Sequence, residues 1–283
     1  MGLGKTVLIT GCSSGSLGFA LAKAFREQGF HVFATARNPA KVGARAEEDG
    51  IEVLPLDVTS AESIASCAAQ VRNKTGSRLN VLVNNAGSVA FGPLVHASVA
   101  EGKALYDVNV WGILAVTQAF TPLLLEAGEG VVLNISSIAG AVPLAWQGLY
   151  NSSKAAATFI SETLKIELAP LGIRVVTAMV GAIGTELYNN KREDLSLPDD
   201  SRYKPIEDVI RKQANGELQA PFNEPVDATA RNIVRDTLAG RCGQIWRGGE
   251  AGRASVLSWL VPTALREKIL HSNRGVYQLK RDK

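Results

Sequence analysis

The sequence predicts an α/β fold in which a parallel β-sheet is covered by helices on both faces. Short segments rich in β-branched residues alternate along the chain with longer segments of helical periodicity, and this alternation is typical of parallel sheets. The short segments are almost continuously apolar, as strands buried on both faces are. A glycine-rich turn follows the first of them, where nucleotide-binding units carry one.

The composition favours one globular domain over residues 1–283. Hydrophobic residues make up 46% of the chain, and the net charge of +3 is too small and too scattered to indicate nucleic-acid binding. Cys12, Cys67 and Cys242 are odd in number and far apart, which predicts a reducing compartment and no disulfide framework. The first predicted strand begins at residue 6, so we expect no cleaved leader and a cytoplasmic protein.

Two further kinds of site are not expected. The three histidines show no metal-ligand spacing, so the sequence predicts no metal site. No stretch reaches the roughly 18 uninterrupted apolar residues that a membrane-spanning helix needs.

The first strand, turn and helix predict a dinucleotide site. Residues 6–10 form the predicted strand and residues 19–28 the predicted helix, which stops at Gly29. The turn between them runs from Gly11 to Gly18 and carries three glycines. Glycines let the backbone approach a pyrophosphate, and the helix N-terminus supplies N–H donors and the positive end of its dipole. The turn alone is weak evidence, but the flanking strand and helix strengthen it.

The second predicted strand, residues 31–36, ends in Ala36 and is followed by Arg37. In this kind of fold an acidic residue there binds the ribose 2′-hydroxyl, whereas a nearby Arg accommodates a 2′-phosphate. Because the carboxylate is missing, the sequence favours NADP(H) over NAD(H). The alternative is that Arg37 is an ordinary surface residue in a loop.

The third and fourth predicted strands, residues 51–56 and 79–83, flank a helix at 61–73. The third ends at Asp57 and Val58, and the fourth leads into Asn84, Asn85, Ala86 and Gly87. The alanine and glycine would let the chain pass close to a flat ligand. A predicted helix at 105–124 carries Asn109 among apolar neighbours. Such a residue is more often a hydrogen-bonded core residue than a catalytic one.

Ser137, Tyr150 and Lys154 are the candidate catalytic residues. Ser137 follows a predicted strand at 131–135, and Tyr150 begins a predicted helix that extends to about residue 169. Tyr150 and Lys154 are four apart and therefore share one helix face. A nearby ammonium lowers the pKa of a phenol, and a serine hydroxyl can bond a substrate oxygen as charge develops on it. Taken alone, a Tyr and a Lys at this spacing could share a helix by chance.

After the sixth predicted strand, residues 173–180, the chain becomes polar. Residues 185–223 carry one predicted helix, at 201–213. An insert at the carboxyl end of a sheet is where a substrate lid lies, and a plain surface loop is the alternative. A helix at 225–238 and a last strand at 244–247 follow.

The C-terminal extension, residues 251–283, begins with an apolar tail. Pro262 interrupts this tail, and Arg266 and Lys268 give it a modest basic edge. Three interpretations stay open: a cap over the substrate pocket or a subunit interface, an in-plane membrane contact through residues 251–272, and plain core.

Together these motifs make the chain resemble the short-chain dehydrogenase/reductase family over residues 6 to 185. Within it, the chain is most similar to the fungal branch around 1-acyldihydroxyacetone-phosphate reductase, close to the 17β-hydroxysteroid dehydrogenases. Ser137 and Tyr150 are thirteen residues apart, as the family's pair usually is. The residues that carry the resemblance are Thr10 with the turn Gly11–Gly18, Asp57, Asn84, Asn85, Ala86, Gly87, Asn109, Ser137, Tyr150, Lys154 and Thr185.

The resemblance implies a doubly wound, seven-stranded Rossmann-fold sheet in a single domain that assembles as a homo-dimer or tetramer. It also implies hydride transfer between a nicotinamide and a ketone or secondary alcohol. Tyr150 would donate the proton, Lys154 would lower its pKa and hold the ribose hydroxyls, Ser137 would position the carbonyl oxygen, and Asn109 would hold a water. The expected cofactor contacts are Gly11, Ser13, Ser14, Ser16, Leu17, Arg37, Asp57, Val58, Asn85, Ala86, Gly87, Tyr150, Lys154, Val180, Gly181, Ile183 and Thr185.

Two departures from the family pattern stand out. The glycine-rich turn is one residue longer than usual, with Ser16 where this branch often has a glycine, so pyrophosphate contact could tighten or weaken. Val180 replaces a proline before Gly181, which should loosen the backbone leading to Thr185.

The substrate is expected to be hydrophobic, because residues 142–147 include Val142, Leu144, Ala145 and Trp146. An acyl-dihydroxyacetone phosphate, a steroid-like ketone or a secondary-metabolite ketone would fit. Two alternatives remain: a non-redox NADP-binding protein that steers a biosynthetic intermediate, and a protein associated with a lipid surface, on the endoplasmic reticulum or lipid droplets.

Overall fold

The computed structural model describes residues 4–43, 45–185 and 195–279 and contains one seven-stranded sheet in a single domain. All neighbouring strands pair in parallel, in the order β3-β2-β1-β4-β5-β6-β7. The strands are β1 (Thr6–Ile9), β2 (His31–Ala36), β3 (Glu52–Pro55), β4 (Val81–Asn84), β5 (Val131–Ile135), β6 (Arg174–Val180) and β7 (Gly243–Arg247). The order reverses between β1 and β4, and in such sheets ligands bind at the carboxyl ends of the strands beside this reversal. The predicted doubly wound fold is confirmed.

Helices cover both faces of the sheet. They are α1 (Leu17–Glu27), α2 (Arg45–Glu48), α3 (Ala61–Thr75), α4 (Val99–Tyr106), α5 (Gly112–Glu126), α6 (Gly148–Leu168), α7 (Glu207–Ala214), α8 (Val226–Leu238), α9 (Ala251–Leu260) and α10 (Thr263–His271). Val7 and Ile9 of β1 face a core shared with α1 and α8, while Leu8 faces one shared with α3 and α5. This alternation follows from the two-residue period of a strand.

The helix predicted over residues 105–124 is longer and divided. It starts at α4, where the Ser98 hydroxyl accepts a hydrogen bond from Ala100 N at 3.2 Å, and a π-helical turn at Asp107–Trp111 separates α4 from α5. Such turns lie frequently at functional sites, and this one contains Asn109. The α4–α5 run, Val99–Glu126, is long and apolar enough to cross a membrane. Half of its most apolar window is packed inside the protein, which is typical of a core helix.

The described part of the insert, residues 195–223, contains less helix than predicted. A 3₁₀ turn (Lys204–Ile206) with Pro205 in it precedes α7, so the helix predicted to start at residue 201 begins at Glu207. Proline lacks the N–H that an α-helix interior requires. Leu197, Ile206 and Ile210 form a small third core with Trp146. This core joins the insert to the segment between Ser137 and Tyr150.

Candidate active site

The glycine-rich turn is built by close backbone packing against the segment that follows β4. A Cβ atom on Gly11 would lie 2.8 Å from Ala86 Cα, and one on Gly18 would lie 2.4 Å from Asn85 Nδ2. Gly11 also has φ of +73°, a conformation that favours glycine. Asn85 Nδ2 donates to Thr10 O at 2.8 Å and to Gly11 O at 3.0 Å. The turn and the β4 segment therefore form one rigid unit at the switch point of the sheet.

Ser16 has a structural role in this turn, as the N-cap residue of α1. Its φ of −90° needs no glycine, and its hydroxyl accepts a hydrogen bond from Phe19 N at 3.2 Å, which caps α1. The hydroxyl also donates to Gly11 O at 3.3 Å. Leu17 buries its side chain in the core, so only its backbone could meet a ligand. Ser13 and Ser14 remain accessible at the start of the helix.

Arg37 and Asp57 lie near each other beyond the ends of β2 and β3. The Arg37 side chain is exposed, and its positive charge helps to lower the pKa of the Asp57 carboxyl. Burial of that carboxyl opposes the shift, but hydrogen bonds from the Thr59 N–H and hydroxyl outweigh it. Val58, the neighbouring predicted contact, is mostly buried in the core. Charged groups thus flank the site where the sequence predicts the adenine ribose.

Ser137 and Tyr150 are hydrogen-bonded to each other through their hydroxyl groups. Ser137 begins a 3₁₀ turn, Ile138–Gly140, and its Oγ accepts a hydrogen bond from Ala139 N at 3.1 Å. A Cβ on Gly140 would lie 2.7 Å from Lys154 O. Glycine therefore lets this turn pack directly on α6, which carries Tyr150, and this packing brings the predicted pair together.

The direction of the Tyr150 pKa corrects the prediction. We expected the Lys154 ammonium to lower it, but burial raises the pKa of Tyr150, and the hydrogen bond with Ser137 opposes that rise only in part. Lys154 Nζ lies 6.0 Å from the Tyr150 ring centroid and donates to Ile135 O at 2.9 Å. Desolvation therefore sets the direction of the shift, and Tyr150 is a protonated phenol at neutral pH.

Lys154 is buried, and burial lowers its pKa to about 8. Its Nζ also lies near Gly87, where a Cβ would be 3.7 Å from Nζ and 3.4 Å from Asn109 Oδ1. Gly87 itself is exposed. A ligand that lies against the Gly87 backbone would therefore reach the Lys154 ammonium.

The Asn109 side chain ties three elements together. Its Oδ1 accepts from Ser88 N at 2.8 Å, and its Nδ2 donates to Ser88 O and to Ser153 Oγ, both at 2.9 Å. Ser153 lies between Tyr150 and Lys154 on α6 and donates to Tyr150 O at 2.8 Å. The amide thus anchors the β4 segment to the catalytic helix. Its predicted water-holding role stays a prediction.

Backbone hydrogen bonds hold the segment after β6. Gly181 N donates to Arg247 O at 2.9 Å, Ala182 N to Gly249 O at 2.8 Å, and Gly184 N to Glu224 O at 3.3 Å. A Cβ on Gly181 would lie 2.0 Å from Gly249 O, so the glycine fixes this crossing. These bonds hold the backbone as far as Gly184, and the loosening expected from the missing proline stays a prediction.

Among the other predicted contacts around this segment, Val180 is buried, while Ile183 and Thr185 are half-buried beside the insert. Residues 186–194 of the predicted lid lie outside the described residues. We therefore describe the lid only from residue 195 onward.

Hydrogen bonds join the C-terminal extension to the segment before Tyr150. Trp146 Nε1 donates to Arg274 O at 2.7 Å, and Ala145 N donates to His271 Nε2 at 3.3 Å. Arg274 also bonds the Gln213 side chain of α7. We call Trp146, Gln213, His271 and Arg274 the latch. Trp146 itself has φ of +69°, a conformation that is uncommon for a bulky residue.

Burial and the charge of Arg274 lower the pKa of His271, although backbone contacts to Glu267 and Pro143 oppose this. The ring is therefore neutral at pH 7 and able to accept the hydrogen bond from Ala145. This part of the tail, residues 271–279, caps the wall predicted at 142–147. The cap over a substrate pocket, the subunit interface and the membrane contact all stay predictions.

The residues that the sequence analysis missed are Ser153, Gln213, His271 and Arg274. Each makes a hydrogen bond to a residue that lies far away in the sequence, so no local pattern indicates the contact. The described residues contain no group of three His, Cys, Asp or Glu side chains that could hold a metal ion.

A dinucleotide fits the residues at the switch point. The turn before α1 is exposed at Ser14 and Gly15, the open Gly87 backbone lies beside Lys154, and Arg37 extends from the end of β2. Ser13, Ser14 and Gly87 face this opening, whereas Ser16, Leu17, Asn85, Val58 and Val180 use their side chains inside the protein.

Comparisons with known proteins agree with this geometry. A family model described as short chain dehydrogenase matches residues 5–196. A short-chain dehydrogenase from Talaromyces islandicus is 49% identical over 92% of this chain and 90% of its own length. An NADPH-dependent 1-acyldihydroxyacetone phosphate reductase from Schizosaccharomyces pombe is 34% identical over 87% of this chain and 82% of its own. The structure of a Burkholderia cenocepacia short chain dehydrogenase in complex with NADP superposes with a TM-score of 0.70, 26% identity and coverage of 97% and 99%.

Proposed function

The chain belongs to the short-chain dehydrogenase family of oxidoreductases, and from this premise we propose that it is an NADPH-dependent reductase of hydrophobic ketones. One observation carries the proposal: a half-buried, protonated Tyr150 lies in hydrogen-bond contact with Ser137 and one helical turn from Lys154. A protonated phenol is a proton donor, which ketone reduction needs and alcohol oxidation does not.

Each side chain has a separate task in the proposed reaction. The Tyr150 phenol donates its proton to the carbonyl oxygen of the substrate as negative charge develops there. Ser137 holds that oxygen by donating a second hydrogen bond. Lys154, an ammonium below pH 8, stabilises the phenolate left behind. Bound NADPH would supply the hydride to the carbonyl carbon.

Three features support NADPH over NADH. Arg37 is exposed at the end of β2, where the sequence lacks an acidic residue, and a guanidinium binds a phosphate in a bidentate, charge-assisted way. The S. pombe relative carries NADPH dependence in its name, and the Burkholderia structure contains NADP.

We infer the substrate class from the apolar residues that gather beside the segment before Tyr150. Trp146, Leu197, Ile206 and Ile210 pack together where the insert and the C-terminal extension meet the segment before Tyr150. We assign the insert as a lid and the latch as its support. Apolar surroundings of this kind favour an apolar ketone, whether an acyl-bearing lipid ketone or a secondary-metabolite ketone.

The proposal is tested by NADPH consumption with a series of ketones of increasing apolar size. Oxidation of NADPH that rises with apolar size and is weaker with NADH is the expected result. Tight NADPH binding without turnover of any ketone would favour the non-redox alternative, in which the protein steers an intermediate without reducing it.

A further inference from the structure

The structure divides the C-terminal extension into two parts with opposite exposure. Residues 271–279 pack on the pocket wall, but α9 and α10 direct apolar side chains to the outside. We define the corner as the exposed apolar side chains Val256, Trp259, Leu260, Leu265 and Ile269. Trp259 and Leu260 are 76% and 77% exposed. We propose that the corner inserts into the surface of a lipid bilayer.

The spacing of these residues places apolar side chains on one face of each helix. Val256, Trp259 and Leu260 occupy positions i, i+3 and i+4 of α9, and Leu265 and Ile269 occupy positions i and i+4 of α10. Residues at these spacings share a helix face. Pro262 separates the two helices, and Leu260 and Leu265 lie on either side of it in the chain. Scattered apolar residues need no explanation, but a contiguous exposed set indicates an interaction site.

Few side chains of the two helices are buried against the rest of the protein. Ala251 and Ala254 are the buried side chains of α9, and α10 has no fully buried side chain. The apolar surface of these helices therefore faces outward rather than into the core. An in-plane helix at a membrane has this arrangement, with its apolar face in the acyl boundary.

The charged groups around the corner suit a membrane surface. Arg253, Arg266 and Lys268 stand against Glu250 and Glu267, which leaves one net positive charge. Arg253 pairs with Glu250 at 2.9 Å, so Lys268 is the main accessible cation. Lipid headgroups attract such cations weakly, and tryptophan prefers the headgroup level of a bilayer.

A second copy of the chain fits the corner less well than a bilayer does. A standard subunit interface uses about 20–30 residues on each side, whereas the corner offers five apolar side chains on helices of ten and nine residues. A better face for a second copy lies on α6, a helix of 21 residues whose Phe159 and Ile166 are 81% and 71% exposed.

The test is co-sedimentation of the full chain with vesicles of phosphatidylcholine, alone or with phosphatidylserine. The double variant Trp259→Ala/Leu260→Ala should lower the vesicle-bound fraction about tenfold or more, because burial of each side chain contributes strongly to binding. The matched control, Phe159→Ala/Ile166→Ala, removes two equally exposed side chains and should bind vesicles as the wild type does. Lys268→Glu should weaken binding to the phosphatidylserine vesicles alone.

Two outcomes would overturn the proposal. The first is equal vesicle binding by the wild type and the corner variant. The second is conversion of an oligomer to a monomer by the corner variant, measured by light scattering, which would assign the corner to a second copy. Ketone reduction by the corner variant in detergent-free solution shows that it is folded, and Leu265→Ser serves as the substitute if it is not. Because vesicle binding is measured without substrate, its failure leaves the proposed reductase activity standing.

Discussion

The cofactor side and the substrate side of this molecule are built in different ways. On the cofactor side, backbone packs on backbone: Gly11 lies against Ala86, and Gly18 lies against Asn85. On the substrate side, long side chains connect distant parts of the chain, as Trp146 does with Arg274 across 128 positions. Backbone contacts leave no room for a side chain, whereas side-chain contacts can be exchanged one at a time. We therefore expect the first region, which would bind the cofactor, to tolerate few substitutions. We expect substitutions in the second region to change the substrate preference.

Tyr150 lies where the two regions meet, and its removal should have the largest effect. Tyr150→Phe keeps the ring but removes the proton donor, so kcat should fall by about 10²–10⁴-fold. Affinity for NADPH should stay nearly unchanged. Ser137→Ala should lower kcat as well, and the losses will not add, since these residues act together.

The matched control for this experiment is Tyr277→Phe, at an exposed position of the tail, which should keep wild-type kcat. Near wild-type ketone reduction by Tyr150→Phe at saturating NADPH would mean that the catalytic assignment is wrong.

The next largest effect concerns stability. Burial lowers the pKa of Lys154 to about 8 from 10.5 in the unfolded chain. Between these values the unfolded chain binds more protons than the folded protein, so this group makes stability rise with pH across that window. At pH 7 the buried ammonium costs up to about 3 kcal/mol.

Lys154→Met should therefore raise the melting temperature at pH 7, and this gain should shrink as pH increases from 8 towards 10.5, although activity is lost. Lys165→Met, which breaks a half-buried ion pair with Glu162, is the control and should give no gain. A loss of stability in Lys154→Met at pH 7 would contradict the burial argument.

Arg37 tests the cofactor side directly. Arg37→Ala should weaken NADPH binding by about 1.5–3 kcal/mol, as expected for a lost charge-assisted bond, and should change NADH binding little. Titration calorimetry with both cofactors measures this. Arg72→Ala, on the exposed surface of α3, should leave both affinities unchanged. Equal affinity of the wild-type protein for the two cofactors would rule out this role.

The latch should give the smallest effect, confined to the substrate side. His271→Ala removes the acceptor for Ala145 N, and loss of one hydrogen bond should raise KM for large apolar ketones about 2–10-fold. KM for a small ketone and the Kd of NADPH should not change. His271→Gln retains an acceptor and should restore much of the loss. If KM for NADPH rises in parallel, the comparison between the two regions fails.

Local patterns account for what the sequence could predict. The strands, the turn from Gly11 to Gly18 and the spacing of Ser137, Tyr150 and Lys154 are short-range features, because each reflects one element or one turn. The short-chain dehydrogenase fold followed from them. The structure has the seven-stranded, doubly wound sheet that the resemblance implied.

The features that the sequence did not predict depend on contacts between residues far apart in the chain and on burial from solvent. His271 carried no signal as a partner of Ala145, 126 positions away. The pKa of Tyr150 depends on how deeply α6 is covered, and a spacing of four residues contains no information on that. The π-helical turn at Asn109 was also missed, since its apolar pattern matches that of an ordinary helix.

The crossing at Gly181 has a consequence for how this protein could change over time. Ala182 pairs with Gly249 and Ile183 pairs with Glu224, so the insert leaves the sheet and returns to it at one place. Doubling the length of a loop whose ends are already joined costs only about 0.6 kcal/mol in closure entropy. The segment between Ile183 and Glu224 could therefore be replaced by one of another length without disturbing the sheet. A relative's insert grafted between Ile183 and Glu224 should bring a new substrate preference while the cofactor affinity of the host is inherited intact.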